Sequence, residues 1–423
     1  MKFRPSLLVA VPAFAFVIAC GPSTRNPNGG GPDGGGDGGS NCVDEDGDGW
    51  TTCEGDCCDN TMECANPAQV NPGAFDVPGD GADNDCDGQI DNEVIACDTG
   101  LSSDSSTATD YAKAIDICQT TTMDDPMKKW GLISATFTKA DGSSALDSAQ
   151  SVQHAIRPHY GTNAAMKPHA GASLIELSTG NAAATGDTNP GPDLFESGEF
   201  GAMSDFPADF LAANNGALPN APGCDPPSGN QAGDPIMLTL TIRVPTNANS
   251  FSMDINFFSS EFPEWTCTAY NDFFVVLLDS SWNGMPMNPA DKNLALYTAA
   301  DMKTYPVGVN LAAGNTGLFT QCKNGTIGCD GTGNLKITTC TGTADLTGTG
   351  MDAADIGGGC SGGDTEVGGG TGWLTTSGNV TPGEIMKLRI AIWDTSDDAL
   401  DSLAVIDNFK WSAAPSTPGT VIE

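Results

Sequence analysis

The chain has 423 residues and a formal net charge of −37, with 54 acidic against 17 basic side chains. Such a surface disfavours nucleic acid and anionic lipid headgroups and favours divalent cations. With 39% hydrophobic residues and clear strand patterns, most of the chain is expected to fold rather than remain disordered.

The chain opens on a targeting pattern. Lys2 and Arg4 form a positive region, and Leu7 to Ile18 are almost wholly apolar. That run is too short for a membrane span. It ends in Val17-Ile18-Ala19-Cys20, which resembles a bacterial lipobox. The expectation is a lipoprotein signal peptide over 1–19 and a lipidated Cys20 that anchors the mature chain in a membrane. An ordinary secretory signal with a chance cysteine is the other reading. Gly21 after the cysteine is similar to an outer-membrane address, so an outer-membrane lipoprotein exposed at the cell surface is expected. Residues 20–41 form the lipidated cysteine and a glycine-rich tether, with Gly29-Gly30-Gly31 and Gly34-Gly35-Gly36. As a random coil the tether reaches roughly 25 Å.

Residues 42–93 read as an acidic, cysteine-rich metal-binding module. They hold 15 acids, and no basic side chain stands between Arg25 and Lys113. Asp44-Glu45-Asp46-Gly47-Asp48-Gly49-Trp50 and Asp83-Asn84-Asp85-Cys86-Asp87-Gly88-Gln89-Ile90-Asp91 both follow Asp-x-Asp-x-Asp-Gly. This is the spacing of a calcium loop. Alternate carboxylates turn toward one cation, the glycine lets the backbone reverse, and the next carbonyl adds an oxygen. In the first loop the expected ligands are Asp44, Asp46, Asp48 and the Trp50 carbonyl, with Asp56 and Asp59 just beyond. In the second they are Asp83, Asp85, Asp87 and Asp91 with the Gln89 carbonyl. Glu93 sits one residue early for a closing acid. The plainer reading is a pair of solvated acidic turns.

Setting Cys20 aside, six cysteines lie within 42–93 and eight beyond. Both counts are even, as two separate disulfide sets in an oxidising compartment require, so no bridge is expected to cross between them. The module has too few apolar residues for a core of its own and needs bridges and metal to hold it.

Residues 97–423 read as one large β-rich domain. Asp110 to Cys118 reads as a short helix. Leu238, Leu240, Ile242 and Val244 alternate with Thr239, Thr241 and Arg243, the period of a strand. Phe251–Phe258, Phe273–Leu278, Leu388–Trp393 and Leu403–Trp411 are further strands. Short strands, Gly/Pro/Asn turns and no alternating helices predict a mainly β fold, a jelly-roll-like β-sandwich. The glycine-rich stretch 308–372 carries four cysteines and is expected to be a disulfide-stapled excursion.

Two family resemblances follow from these residues. Gly55-Asp56-Cys57 with Asp59, then Asn71-Pro72-Gly73-Ala74, then Asp80-Gly81 and Asp83-Asn84-Asp85-Cys86-Asp87-Gly88 with Asp91, resembles the MopE-type metal-binding motif. That family usually has an acid where Cys58 stands. Gln153-His154-Ala155-Ile156, Leu177-Ser178-Thr179-Gly180, Phe258-Ser259-Ser260-Glu261-Phe262-Pro263-Glu264, Tyr270-Asn271-Asp272-Phe273 and Ile406-Asp407-Asn408-Phe409 resemble the choice-of-anchor L domain of secreted bacterial proteins. The second resemblance implies a β-rich extracellular module and agrees with a lipid anchor. The first implies a metal, with copper as the alternative to calcium.

Hard oxygen ligands favour calcium over copper, which prefers histidine, methionine or thiolate. A lower-ranked second site is read in the sandwich. Glu261 ends one strand and Asp272 begins the next, and Asp394 and Asp401 repeat the arrangement. If each pair of strands forms an antiparallel hairpin, these acids gather at one rim, with Asp407 within the last strand. Solvation of turns is the alternative. His154, His159 and His169 fit no ligand spacing and read as structural or surface residues. Gly359-Cys360-Ser361-Gly362-Gly363 matches a nucleophile elbow in letters only, without the strand and helix that chemistry needs. No enzyme is expected. The sequence reads as a lipid-anchored, calcium-binding extracellular module with a structural or adhesive role. The alternatives are a carbohydrate- or matrix-binding lectin-like protein and a copper-binding surface protein. Exposed Trp265, Trp282 or Trp373 would favour a glycan ligand.

Overall fold

Runs of β-branched and aromatic residues too apolar for a solvated face become the central strands. The computed structural model describes residues 42–92, 96–125, 128–193, 195, 200–314, 316–323, 326–327, 335–336, 340–353, 367–395 and 398–423. Ten principal strands are β1 (Gly131–Thr138), β2 (His154–Arg157), β3 (Leu174–Ser178), β4 (Ala232–Arg243), β5 (Ser250–Ser259), β6 (Phe273–Asp279), β7 (Leu374–Asn379), β8 (Ile385–Thr395), β9 (Ser402–Ser412) and β10 (Gly419–Ile422). The first sheet runs β1–β4–β8–β6, with Met203–Ser204 paired to β4. The second runs β10–β7–β5–β9–β3–β2, with Gly369–Gly370 paired to β5. These pairings are antiparallel, and the two sheets pack as the expected sandwich.

Strand alternation sorts the side chains into three cores. Met386, Leu388, Ile390 and Ile392 of β8 meet Phe251, Met253, Ile255 and Phe257 of β5 between the sheets. Ala391 and Trp393 point the other way, where helix α2 (Ala208–Ala213) covers them with Phe210. Outside the second sheet, Leu403, Val405 and Phe258 lie under Tyr160, Met166 and Phe195. Coverage on both faces explains the continuous apolar runs in the sequence.

Helix α1 spans Ala108–Ala114, beginning and ending earlier than the expected 110–118. Asp116 adopts a left-handed φ of 73°, and the Ile117 amide bonds back to the Ala112 carbonyl at 2.9 Å. Such a residue just past the last turn closes a helix. Cys118 beyond it is tied to Cys97.

The acidic segment carries the bridges Cys42–Cys53, Cys57–Cys86 and Cys58–Cys64. The rest carries Cys97–Cys118, Cys224–Cys267 and Cys322–Cys340. Among the described residues no bridge crosses between the two. Cys329 and Cys360, the signal peptide, Cys20, the tether, Glu93 and the Gly359–Gly363 stretch lie outside the described residues. No helix among the described residues is long and apolar enough to cross a membrane.

The acidic segment is seated on the sandwich, and Cys42–Glu423 cluster as one compact unit. Phe75 joins the inter-sheet core. The Asn247 side chain accepts the Phe75 amide at 3.0 Å and donates to its carbonyl at 2.8 Å. Gly73 packs closely there: a Cβ would sit 3.0 Å from the Thr246 methyl and 3.2 Å from the Trp50 ring, so a larger residue would make these neighbours shift.

Candidate metal centre

The first acidic loop folds as its spacing predicts. Asp44, Asp46 and Asp48 are half-buried, while Glu45, Gly47 and Gly49 between them are exposed. Gly47 and Gly49 take φ of 80° and 94°, conformations that suit glycine. Asp44 accepts the Gly47 and Gly49 amides at 2.6 and 3.1 Å. Asp46 accepts the Asp48 amide at 3.1 Å, and Asp48 accepts that of Trp50 at 2.8 Å. The Trp50 side chain is buried and anchors the end of the loop.

One oxygen from each of Asp44, Asp46 and Asp48 falls within 4.8 Å of the others. Asp46 also converges within 4.8 Å on Asp56 and Asp59. Asp56 and Asp59 are themselves buried, held by the Cys58 amide at 2.9 Å and the Glu45 amide at 2.6 Å. Asp46 Oδ2 and Asp56 Oδ2 are buried without a hydrogen-bond partner. Burial raises Asp46, Asp48 and Asp56, and neighbouring acids add to it; Asp48 reaches about 6. Such an arrangement is disfavoured in its fully charged form unless a cation or bound protons neutralise it.

The second loop gathers a different set from the one its spacing suggests. Asp83 and Asp85 converge within 4.8 Å on Asp76, a residue outside the Asp-x-Asp pattern. Asp76 accepts the Asn84 amide at 2.7 Å and the Asn92 amide at 3.0 Å, which folds it over the loop. Burial and the charges of Asp87, Asp76 and Asp83 push Asp85 up to about 6. Asp87 instead accepts the Gln89 amide at 2.8 Å and the Asn92 side chain at 3.1 Å. Asp91 accepts the Gly79 and Gly81 amides at 2.9 and 3.2 Å and holds a turn. Asp76 follows Asn71-Pro72-Gly73-Ala74-Phe75, and only the chain reversal at Asn84 brings it to Asp83.

Two buried amides tie the loops together. Asn71 donates to Asp48 at 2.7 Å and accepts from the Gly73 amide and the Thr246 hydroxyl at 3.0 and 2.5 Å. Its own amide donates to the Asn84 carbonyl at 2.9 Å. Asn84 in turn accepts the Val77 amide at 2.9 Å.

The donor set decides which metals fit. In the acidic segment every converging group is a carboxylate oxygen, the ligand of hard cations such as calcium. Copper's softer ligands are missing here. The six cysteines of the segment are bridged, no histidine lies within 42–93, and Met62 is 90% exposed.

The acids expected at one sandwich rim divide. Glu261, Asp272, Asp394 and Asp401 come together at one end, fully buried rather than at an open rim. The hairpins expected to bring them there do not exist. β5 and β6 lie in different sheets, as do β8 and β9, so the acids meet because both connections cross between sheets at the same end. Asp407 is not among them. It accepts the His169 amide at 2.5 Å beside its cross-strand partner Asp254, on the outer face of the second sheet.

His169 approaches Asp254 at 2.9 Å and Glu423 at 3.4 Å. His154 is buried, bonded to the Tyr111 hydroxyl at 2.5 Å and stacked on Phe137, and burial lowers it to about 4. The three histidines therefore do not converge. Trp265, Trp282 and Trp373 are half-buried; Trp282 and Trp373 donate to the Pro286 and Ala165 carbonyls, each at 2.9 Å.

Comparison with known families gives two matches. Residues 175–409 match the choice-of-anchor L domain. Residues 65–92 match a metal-binding motif of the copper-binding MopE type, which covers Asp76 and the second loop. Neither the curated proteins nor the solved structures yield a match. The disulfides and the anchor-type domain fit an extracytoplasmic protein.

Proposed function

This chain belongs to the choice-of-anchor L domain family, and on that premise we propose that it is a lipid-anchored, calcium-binding surface module with a structural or adhesive role. Asp44, Asp46, Asp48, Asp56 and Asp59 hold calcium at the first loop, and Asp76, Asp83 and Asp85 hold it at the second. Calcium supplies charge neutralisation and a rigid fixed point for each loop. The chain's own part is to position the carboxylates through Asn71, Asn84 and three bridges. The observation that carries the reading is the sharing of Asp46 between two acid clusters while its Oδ2 stays buried without a donor.

The lipid on Cys20 holds the module at the outer membrane, and the tether lifts it clear of headgroups. A glycan or matrix component is the proposed class of ligand for an adhesive role, and no catalytic role is proposed.

Calorimetry on the full chain after chelation tests the metal. Calcium is expected to bind with measurable heat at millimolar concentration or below. Asp46→Ala and Asp85→Ala are each expected to weaken one loop and spare the other. Tight copper binding with no calcium heat would reject calcium. Mass spectrometry of the mature N-terminus tests the anchor: an acylated Cys20 is expected, and an unmodified start elsewhere removes the lipid from the proposal.

A further inference from the structure

A histidine and two carboxylates from three distant parts of the chain meet on the outer face of the second sheet. Strand alternation puts Asp254 of β5 in the row of Phe258, and Asp407 of β9 in the row of Leu403 and Val405, all outward-facing. Asp254 and Asp407 are register partners, and Thr375 of β7 flanks Asp254 on the other side. Extending the β7–β10 pairing by one residue sets Glu423 opposite Trp373.

The loop before β3 closes over this patch. The His169 backbone amide donates to Asp407 Oδ2 at 2.5 Å. The His169 ring packs on Trp373 with centroids 4.3 Å apart, and the Trp373 indole donates to the Ala165 carbonyl of the same loop at 2.9 Å. The ring is thereby aimed so that Nδ1 stands 2.9 Å from Asp254 Oδ2 and 3.4 Å from Glu423 Oε1. One ligand atom from each of His169, Asp254 and Glu423 lies within 4.8 Å of the others. Ligands about 2.0–2.2 Å from a zinc ion stand roughly 3 to 3.5 Å apart in tetrahedral or octahedral geometry. The spacing of Nδ1 to its two carboxylates is of that size. A protonated Nδ1 has a single N–H and makes one full hydrogen bond, whereas an ion serves both acids.

Asn408 is the independent observation. The β5–β9 register shifts between Asp407 and Lys410, and Asn408 takes a left-handed φ of 59° there. A bulge of this kind re-aims a side chain. The Asn408 side-chain amide donates to Asp254 Oδ2 at 2.6 Å, and the Thr375 hydroxyl donates to Asp254 Oδ1 at 3.2 Å. Such outer partners orient a metal-ligating carboxylate. Asn408 is only 7% exposed, yet its own Oδ1 is buried without a hydrogen-bond partner. A charged histidine between two acids would explain the ring's position but gives that oxygen no donor.

We propose that His169 Nδ1, Asp254 and Glu423 bind a divalent transition ion of the zinc class. Imidazole with two carboxylates suits zinc better than calcium, which takes oxygen ligands. Water completes the shell and supplies the donor that Asn408 Oδ1 lacks. His169 and Glu423 are exposed, so the ion reaches the site from solvent. It clips the loop before β3 to β5 and to the end of β10. The site shares no residue with the acidic loops.

The test uses the full chain, stripped by chelation and then held in millimolar calcium so that hard-oxygen sites are occupied. Equilibrium dialysis against micromolar zinc is read by elemental mass spectrometry. His169→Gln is expected to lose one zinc per chain relative to the unaltered protein. His159→Gln, at an exposed histidine outside the cluster, is expected to lose none. Glu423→Gln, at an exposed position that folding tolerates, is expected to weaken zinc about tenfold or more. With cobalt(II) in place of zinc, proton NMR is expected to show paramagnetically shifted ring signals that vanish in His169→Gln. Equal zinc in the unaltered and His169→Gln chains overturns the proposal, as does unchanged affinity in Glu423→Gln; the cluster is then an ion pair only. Failure of the acidic loops to bind calcium leaves the result unaffected, because the site is counted by the difference between the two chains.

Discussion

Asp48 and Asp85 connect the acidic loops to pH. Each is raised to about 6, chiefly by burial and then by neighbouring acids. An aspartate in an unfolded chain titrates near ~4. In the metal-free folded chain these groups therefore keep protons that the unfolded chain has released. Their contribution to stability is full below pH ~4 and is lost as pH rises through about 6. Calcium competes for the same oxygens, so its affinity is expected to fall as pH drops through that window. Hydrogen exchange at Gly47, Gly49 and Gly88 checks both signs, because those amides donate to Asp44 and Asp83. After correction for intrinsic exchange, protection without metal should weaken from pH 4 to 7, and calcium should restore it at pH 7. A flat profile in chelator would remove the titration. Asn71 makes a second prediction at this scale. Asn71→Ala strips donors and acceptors from Asp48, Gly73 and Thr246 in a buried setting. The expected cost is about 1–3 kcal/mol of stability by denaturant titration, with calcium weakened at the first loop more than the second.

The bridge Cys57–Cys86 joins the two halves of the acidic segment across 29 residues. Closing a loop of that size removes about 3–4 kcal/mol of chain entropy from the unfolded state. The double variant Cys57→Ser with Cys86→Ser is expected to lose stability of that order. It should also loosen the second loop, whose Cys86 lies between Asp85 and Asp87. Unchanged calcium affinity in that variant would show that metal alone shapes the loop. Elements of this kind differ in how legible they are. The strands from 238 to 411 are readable because their apolar residues are consecutive and local in sequence. Sheet order is not, since β5 pairs with β7 and β9, whose positions depend on crossings between layers. The same reason hides Asp76, brought to Asp83 by a reversal, and His169, brought to Asp254 by the packing of a loop on a sheet. The first loop's acid cluster is legible because its five residues lie within one short stretch. Asp87 and Asp91 fit the spacing equally well, yet their oxygens are taken by amides of their own turns.

At the scale of the molecule, a charge of −37 makes self-repulsion a general term that any cation relieves. Specific binding must therefore be separated from screening. Between 10 mM and 0.15 M salt the Debye length contracts from roughly 30 to 8 Å. Repulsion between the acidic segment and the rest of the surface falls accordingly, and the chelated chain is expected to melt at a higher temperature. The carboxylates that converge within 4.8 Å lie well inside that screening length and are scarcely relieved by sodium. Calcium acts on them directly, through differential binding to the folded chain, and its stabilisation grows with the logarithm of its concentration. Magnesium demands a tighter octahedral shell and gives up its water reluctantly, so it is a poor substitute in flexible carboxylate loops. The expected result is a stepwise one. Sodium chloride raises the midpoint modestly and then saturates, while millimolar calcium at constant ionic strength raises it further. Magnesium at the same ionic strength achieves a small part of that second rise. Scanning calorimetry of the full chain measures all three arms. If magnesium reproduced the whole calcium effect, the acids would be a diffuse counter-ion surface, and the loops would lose their claim to be sites.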